Sequence, residues 1–451
     1  MNFKGVEVLV VGLAKSGVSA IIALNDVGAN ATITDIKSVE ELSELYSEVK
    51  PYIKAAILGS HPTDLERFEY AVMSPGVPLD LPFVTQMKAA GVKIIGEIEL
   101  AYQLSKGSFI GITGTNGKTT TTALTGEIFD LSSRKHFVVG NIGLPAVSKA
   151  LESDGETTMV TEVSSFQLET IVDFRAKIAA ILNLKPDHLN RHKTMDGYIE
   201  AKMRIFENQT TQDHLILNYD DVLTRALSVH SKGKVHYFSR EITEGQSAFI
   251  QEGLIKLNCN EQIETVCPID EMLIFGRHNE ENALAAALIC RLAGIPVDVI
   301  AQGLISFKGV AHRIEFTAEI NGVKYYNDSK GTNPDSTICA VDAMTSPTFL
   351  IAGGYDKESD FAPIFDVFNG KIKKLILMGA TKDKFAFAAR AKGYDQIVFV
   401  ENMEEAVAFA YENAVSGDAV LLSPACASWG MYANFEKRGE HFKKCVHNYE
   451  V

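Results

Sequence analysis

The stretch Gly111-Ile-Thr-Gly-Thr-Asn-Gly-Lys-Thr-Thr-Thr-Thr122 decides how the rest of this 451-residue chain is read. It contains Gly117-Lys118-Thr119, the ending of a phosphate-binding loop. The strict G-x-x-x-x-G-K-S/T pattern, however, wants its first glycine at position 112, which is isoleucine. The flanks resolve the register. An apolar strand, Phe109–Thr113, leads in, and an amphipathic helix runs on from Thr119. Gly114 to Thr119 is therefore a strand-to-helix turn, where backbone N–H groups and a helix N-terminus face one point. Gly114 and Gly117 allow close backbone approach, and Thr115, Asn116 and Thr120 complete the loop. Lys118 can reach β- and γ-phosphates, and Thr119 offers a hydroxyl to Mg²⁺. A metal-bound nucleotide also needs a carboxylate at the end of a neighbouring strand. Thr158-Met-Val-Thr-Glu162 supplies one, although a surface glutamate at a strand end reads the same way.

Around this loop, short apolar runs ending in Gly, Asp or Asn alternate with helical stretches, the signature of parallel sheets covered by helices. Strands are expected at Val6–Val11, Ala31–Asp35, Ala55–Leu58, Tyr70–Met73 and Lys93–Ile95. They continue at Phe109–Thr113, Phe137–Val139, Met159–Val163, Ile178–Leu182 and Leu215–Asn218. After a hairpin at Asn321-Gly322 come Phe349–Ala352, Leu375–Met378, Ile397–Val400 and Ala419–Ser423. The polar stretch from about 230 to 268 reads as a small antiparallel edge. The fold class is α/β in three domains: a Rossmann-like domain over 1–97, a central P-loop ATPase-like parallel sheet over 98–309, and a Rossmann-like domain over 310–451.

A second glycine loop, Val10-Val-Gly12-Leu-Ala-Lys-Ser-Gly17, follows the first strand and matches G-x-A-x-x-G, with Asp35 closing the next strand where a ribose-binding carboxylate belongs. A turn with no ligand remains the alternative. Ser74-Pro-Gly76 borders the same cleft. This loop lacks the lysine and hydroxyl of Gly117-Lys118-Thr119. It is equipped to hold a diphosphate, whereas the later loop is equipped to cleave one.

Composition bounds the partners. A formal charge of -14 argues against nucleic acid. Hydrophobic content of 46% with 22% charged residues suits a globular protein. No apolar run is long enough to cross a bilayer, and the start passes directly into a strand pattern, so a cytoplasmic protein is expected. The six cysteines form no C-x-x-C pair and read as free thiols, with Cys426 a small packing residue.

Gly114-Thr-Asn-Gly-Lys-Thr119, Glu162-Val-Ser-Ser-Phe-Gln-Leu168, Asp187-His-Leu-Asn190, Gly276-Arg-His-Asn-Glu-Glu-Asn282 and His312-Arg313 together resemble the motifs of the Mur ligases, the ATP-dependent amino-acid-adding enzymes of peptidoglycan synthesis. Asn327-Asp-Ser-Lys-Gly-Thr-Asn333 and Ser423-Pro-Ala-Cys-Ala-Ser428 are similar to the members that add D-glutamate. The likeness runs the length of the chain and accounts for Ile112, because that family builds its loop without a glycine there. It implies ligation of D-glutamate to UDP-N-acetylmuramoyl-L-alanine through an acyl phosphate, with ADP and phosphate released, by a monomer.

The resemblance also assigns roles. Lys118, Glu162, His188 and Lys202 form the catalytic set. Thr119 and Glu162 hold one Mg²⁺, His188 helps to bind a second, and Lys202 supports the metal centre as a carbamate. Without the resemblance Lys202 reads as a solvated helix lysine and His188 as a capping or core histidine. His192 is left as a surface residue. Asn279 and Asn282, three apart at a helix start, suit the edge of adenine, with capping by Asn279 as the alternative. Arg313 and Asp328 complete the ATP contacts. Leu13, Ala14, Lys15, Ser16, Gly17, Asp35, Ile36, Lys37, Ser74 and Gly76 are implied for the UDP-sugar, with Asn141 and His188 toward its muramoyl part. Lys330, Thr332, Lys357, Ser428 and Phe435 are implied for D-glutamate. The chain departs from some relatives at Tyr355-Asp356 and at Trp429.

Overall fold

Apolar runs closed by small or turn-forming residues become strands nearly wherever the alternation placed them. The computed structural model describes residues 3–241, 245–259, 262–355 and 358–450. Among these residues the strands form three sheets. The first holds β1 (Glu7–Val11), β2 (Asn30–Asp35), β3 (Ala55–Leu58), β4 (Tyr70–Met73) and β5 (Lys93–Gly96), in the order β3-β2-β1-β4-β5. All of its pairings are parallel. The winding reverses at β1, so a crevice opens beyond the carboxyl ends of β1 and β4, where doubly wound sheets bind ligands.

The second sheet holds β6 (Ser108–Thr113), β7 (His136–Gly140), β8 (Thr158–Glu162), β9 (Ala176–Ile181), β10 (His214–Asn218), β11 (Lys234–Ser239), β12 (Ala248–Gln251), β13 (Leu254–Cys259) and β14 (Gln262–Pro268). Its order is β14-β13-β12-β11-β10-β9-β6-β8-β7. The antiparallel edge is shorter than the sequence suggests. β10, β11 and β12 still pair parallel, and only the β12–β13 and β13–β14 pairings are antiparallel. The polar face of β11, with Lys234 and His236, marks an outer part of the sheet, not a change of direction.

The third sheet holds β15 (Glu315–Ile320), β16 (Val323–Asn327), β17 (Thr348–Ala352), β18 (Ile372–Leu377), β19 (Ile397–Phe399) and β20 (Ala419–Leu422), in the order β15-β16-β20-β17-β18-β19. Asn321 and Gly322, at φ 52° and 77°, make the tight turn of the β15–β16 hairpin.

These sheets lie in two compact units. One comprises Met1–Met272 with Glu281–Phe307, the other Leu273–Glu280 with Lys308–Val451. In the first unit, Val8, Ile33 and Val72 of the first sheet belong to the same apolar cluster as Phe109, Met159 and Ala179 of the second. The helix Glu97–Leu104 adds polar ties to this joint core. Glu97 Oε1 accepts the Val147 N–H at 2.7 Å, and Glu99 Oε2 accepts the N–H groups of Val172, Asp173 and Phe174. Burial pushes the Glu97 carboxyl up to about 7.

Candidate functional site

Three adjacent strand ends build the candidate phosphate site. β6 lies between β8 and β9, so the loop after β6 has Glu162 on one side and the residues after β9 on the other. Gly117 caps the helix Lys118–Leu131 at φ 83°, and a Cβ there would stand 2.3 Å from Asn282 Oδ1. Only glycine fits. Lys118 Nζ is held by the carbonyl oxygens of Gly114 at 2.9 Å and Thr115 at 2.7 Å, so its ammonium lies over the loop itself. Thr119 and Thr120 are buried at the helix start.

Residues after β9 clamp the loop, and the sequence reading missed them. Asn183 Oδ1 accepts the Asn116 N–H at 2.8 Å, and Asn183 Nδ2 donates to the Asn116 carbonyl at 3.1 Å. Thr115 Oγ1 reaches the Lys185 carbonyl at 3.1 Å and the Tyr198 hydroxyl at 3.1 Å. The signal available was a strand ending in Leu182-Asn183. It carries no weight until β9 is known to lie beside β6.

Glu162 is buried, and Oε1 accepts from Asn141 Nδ2 at 2.8 Å, while Oε2 is buried with no hydrogen-bond partner. A buried carboxylate oxygen without a donor is costly unless a cation meets it. That fits a Mg²⁺ ion held by Glu162 with the Thr119 hydroxyl. Asn141 thus meets the Glu162 carboxylate, a contact the sequence did not suggest.

Lys202 is 1% exposed, which excludes the solvated reading. Its Nζ donates to Gly114 O at 2.8 Å and Thr113 Oγ1 at 3.2 Å, and lies 4.8 Å from the centre of the Tyr198 ring. Burial and then the Lys118 ammonium drive its pKa well below the ordinary lysine value, against the pull of Asp187 and Glu162. The charged form is disfavoured, and the neutral amine gains. His188 caps the short helix Leu189–His192 from a left-handed conformation, φ 54°, and stands against Asp187. Its ring packs edge-on to Phe166.

His192 is not a surface residue. Its side chain is 4% exposed, with Nε2 at 2.9 Å from Ser165 Oγ and the ring stacked on Phe166. A helix of four residues has too few positions for a periodicity that would reveal which side faces inward.

In the first sheet, the Gly12–Gly17 loop is tied by Asp35. Its Oδ2 accepts the Leu13 N–H at 2.8 Å and its Oδ1 the Lys37 N–H at 3.0 Å. A Cβ on Gly17 would lie 2.2 Å from Gly12 O, so the helix start that follows Ala14 can approach β1 only with glycine. Ser74 Oγ donates to Gly12 O at 3.0 Å, which joins the β1 and β4 ends. Ser16 and Gly17 line a small void with Ser74 and Glu97. Ile36 is 74% exposed beside Asp35, an apolar surface at the crevice rim. Gly76 is less constrained, since a Cβ there meets nothing within 4 Å. Lys15 Nζ bonds Gly143 O, across from the loop.

In the second unit, Asp328 follows β16 and Ser423 follows β20, and Ser423 Oγ donates to Asp328 Oδ2 at 2.7 Å. Burial raises the Asp328 carboxyl to about 6 despite Arg313 nearby. Arg313 Nε is buried without a partner. Asn279 is the third residue of the helix Arg277–Leu292 and donates its Nδ2 to Phe275 O at 2.9 Å, so it is not the cap; Asn282, later in that helix, belongs to the first unit. Lys330 Nζ stands 5.4 Å from the centre of the Phe435 ring, which brings together two residues expected at one pocket. Thr332 donates its N–H to Lys330 O, and Ser428 is buried. Trp429 is exposed and packs edge-on to Tyr355. Lys357 lies outside the described residues.

Sequence reasoning also passed over Arg438. It is buried, donates Nε to Ser329 Oγ at 3.0 Å, Nη2 to Ser329 O at 2.8 Å and Nη1 to Cys426 O at 3.1 Å, and so braces two segments of the expected pocket. Cys426 is itself a buried member of the core.

Models of three domain families match the chain in order. They are the Mur ligase MurD-like N-terminal domain over residues 6–96, the Mur ligase middle domain over 112–290 and the Mur ligase glutamate ligase domain over 312–426. The UDP-N-acetylmuramoylalanine–D-glutamate ligase of Alkaliphilus metalliredigens is 48% identical over 449 residues, covering 99% of both chains. The protein of the same name from Clostridioides difficile is 48% identical over 451 residues, covering 99% of this chain and 100% of its own. Among solved structures, UDP-N-acetylmuramate–alanine ligase of Thermotoga maritima shares the fold at a TM-score of 0.61 with 16% identity, covering 98% of this chain and 100% of its own.

Proposed function

The chain belongs to the Mur ligase family, and from that premise we propose that it joins D-glutamate to UDP-N-acetylmuramoyl-L-alanine, driven by cleavage of ATP to ADP and phosphate, in cytoplasmic peptidoglycan precursor synthesis. One observation carries the reading: two glycine loops at two switch points carry unequal equipment. The Gly12–Gly17 loop has backbone donors and Asp35 but no Gly-Lys-Thr, which suits gripping a diphosphate. The Gly114–Thr119 loop has Lys118, Thr119 and the unpartnered oxygen of Glu162, which suits breaking one.

In this reading Leu13 to Gly17, Asp35, Ile36, Lys37, Ser74 and Gly76 hold the UDP part, and Asn141 and His188 face the muramoyl part. The terminal carboxylate of the precursor takes the γ-phosphoryl group and becomes an acyl phosphate. The free amine of D-glutamate then attacks that carbonyl, its proton leaves, and phosphate departs. Lys118 balances charge on the transferring group, and Gly114 to Thr120 cradle the phosphates. Asn279, Asn282, Arg313 and Asp328 serve adenine, phosphate and ribose. Lys330, Thr332, Lys357 and Ser428 take the two carboxylates of D-glutamate, with Phe435 against its carbon chain. Mg²⁺, when bound, neutralises phosphate charge; Thr119, Glu162, His188 and Lys202 are its holders.

Lys202 serves as a carbamate. A neutral amine is the form that attacks CO₂: an N–C bond forms, a proton goes to solvent, and the buried amine becomes a carboxylate-like anion beside Lys118. Its depressed pKa supports this role. Lys202→Ala is expected to lose about 100-fold or more in rate, and a short carboxylic acid is expected to restore part of it. Equal rates for variant and wild type refute the role.

The overall reading is tested by phosphate release with UDP-N-acetylmuramoyl-L-alanine and ATP present and D-glutamate, L-glutamate, L-alanine or a diamino acid offered in parallel. Release with D-glutamate alone is expected. No release, or release with a different acceptor, overturns the assignment.

A further inference from the structure

Among the described residues, one group of side chains outside the clefts above has the donor set of a metal site. Glu404, His441 and Cys445 present a carboxylate oxygen, a ring nitrogen and Sγ within 4.8 Å of one another. Glu404 stands in the first turn of the helix Met403–Asn413. His441 and Cys445 are four apart in the helix Phe435–His447, which puts both on one face. The two helices pack together. The imidazole is already aimed: the Tyr432 hydroxyl lies 2.8 Å from Nδ1 and Glu404 Oε1 3.1 Å from Nε2. A partner on the far ring nitrogen is how proteins orient a ligating histidine.

We propose that Glu404, His441 and Cys445 bind a divalent transition ion, zinc foremost, with solvent in the fourth position. The donor chemistry selects the class. Mg²⁺ and Ca²⁺ want oxygen ligands throughout, whereas one thiolate, one imidazole and one carboxylate suit Zn²⁺. On binding, Sγ, Nε2 and a Glu404 oxygen each bond the ion; the thiol proton passes to solvent, the Nε2 proton that faced Glu404 is replaced by one on Nδ1 that the Tyr432 oxygen accepts, and no electron is transferred. Cys445 is buried, and a bound ion supplies the positive charge that stabilises its thiolate.

The site has a consequence for the pocket proposed for D-glutamate. The helix that carries His441 and Cys445 begins with Phe435 and includes Arg438, which braces Ser329 and Cys426. An ion joining it to the helix Met403–Asn413 would fasten that brace at its other end.

The test uses the full-length chain, stripped of metal with a chelator and titrated with Co²⁺ and then Zn²⁺. One Co²⁺ per chain with a near-ultraviolet thiolate-to-metal absorption, displaced by Zn²⁺, is expected. Cys445→Ser should abolish that absorption, and both Cys445→Ser and His441→Gln should weaken zinc binding at least about tenfold. Cys259→Ser, in the other unit, should leave the absorption and affinity unchanged. Absence of the absorption in the wild type overturns the proposal without reference to any variant. So does an absorption that survives Cys445→Ser, or a zinc affinity equal in wild type and both variants.

Discussion

Adding one methyl group at Gly17 tests the architecture of the first crevice more sharply than removing a charge. An alanine Cβ there would stand 2.2 Å from Gly12 O and 3.6 Å from Ser74 Oγ, while real Cβ contacts essentially never fall below 3.0 Å. The gap must therefore open from 2.2 to at least 3.0 Å, and Gly12 is poorly placed to yield. Its N–H is bonded to Thr34 O at 2.9 Å and its carbonyl to Ser74 Oγ at 3.0 Å, so it is tied to both neighbouring strands. The helix start must move instead, and with it the N–H groups proposed to face the diphosphate. Overpacking of this kind costs about 1–3 kcal/mol, equivalent to about 5- to 150-fold in an equilibrium constant. Calorimetric titration of Gly17→Ala should show that loss, shared between affinity for UDP-N-acetylmuramoyl-L-alanine and thermal stability. Affinity for a non-hydrolysable ATP analogue should be unchanged. Gly76→Ala is the matched control for stability, because nothing lies within 4 Å of its Cβ. If Gly17→Ala binds the precursor within twofold of wild type and melts at the same temperature, the reasoning fails.

Glu162→Gln keeps the shape and the acceptor for Asn141 but removes the charge. Phosphate release should fall about 100-fold or more with an unchanged melting temperature, and an unaltered Mg²⁺ dependence would count against the metal role. Asn183→Ala removes two hydrogen bonds to Asn116, together worth about 1–3 kcal/mol. ATP affinity should weaken accordingly, and unchanged nucleotide binding would show that the clamp is dispensable. Asp328 has a folded pKa of about 6, above the ordinary 3.8. Well below pH 3.8 the group is neutral in both states. As pH rises through 6 the unfolded chain ionises first, and the fold loses up to about 3 kcal/mol. Asp328→Asn should therefore be more stable than wild type at pH 7.5 and lose that advantage near pH 4. Trp429, the chain's one tryptophan, reports unfolding of the second unit. An advantage equal at both pH values would exclude the buried charge as its cause.

The parts of this site that were legible in the sequence are those that depend on neighbours along the chain. Gly117-Lys118-Thr119 needs only a strand before it and a helix after it. Asp35 was legible because β1, its helix and β2 follow one another. Asn183 and Tyr198 were not, because their value comes from β9 lying beside β6, and the strand order 9-6-8 is set by packing of whole layers. Arg438 was hidden for another reason. Its helix is rich in charge and reads as a solvated surface, and only the folded chain brings Ser329 O and Cys426 O to the guanidinium. His192 failed similarly, since the contacts that enclose it, Ser165 and Phe166, come from a different turn.

The turn Gly140–Gly143 adds something that neither loop shows by itself. The Asn141 N–H donates to Glu162 O at 2.9 Å and its side chain to Glu162 Oε1, while Gly143 O receives Lys15 Nζ from the first loop. A Cβ on Gly140 would lie 2.2 Å from Glu162 O, so the turn is pressed against β8 with no room to slide. One short segment therefore touches both the Gly12–Gly17 loop and the Glu162 carboxylate. Two pockets joined by a flexible hinge would leave the precursor's carboxylate to find the γ-phosphate by chance. Joined through a packed turn over a shared core, the two proposed pockets would be held at one separation, which is what the proposed reaction, depending on position and charge neutralisation, requires.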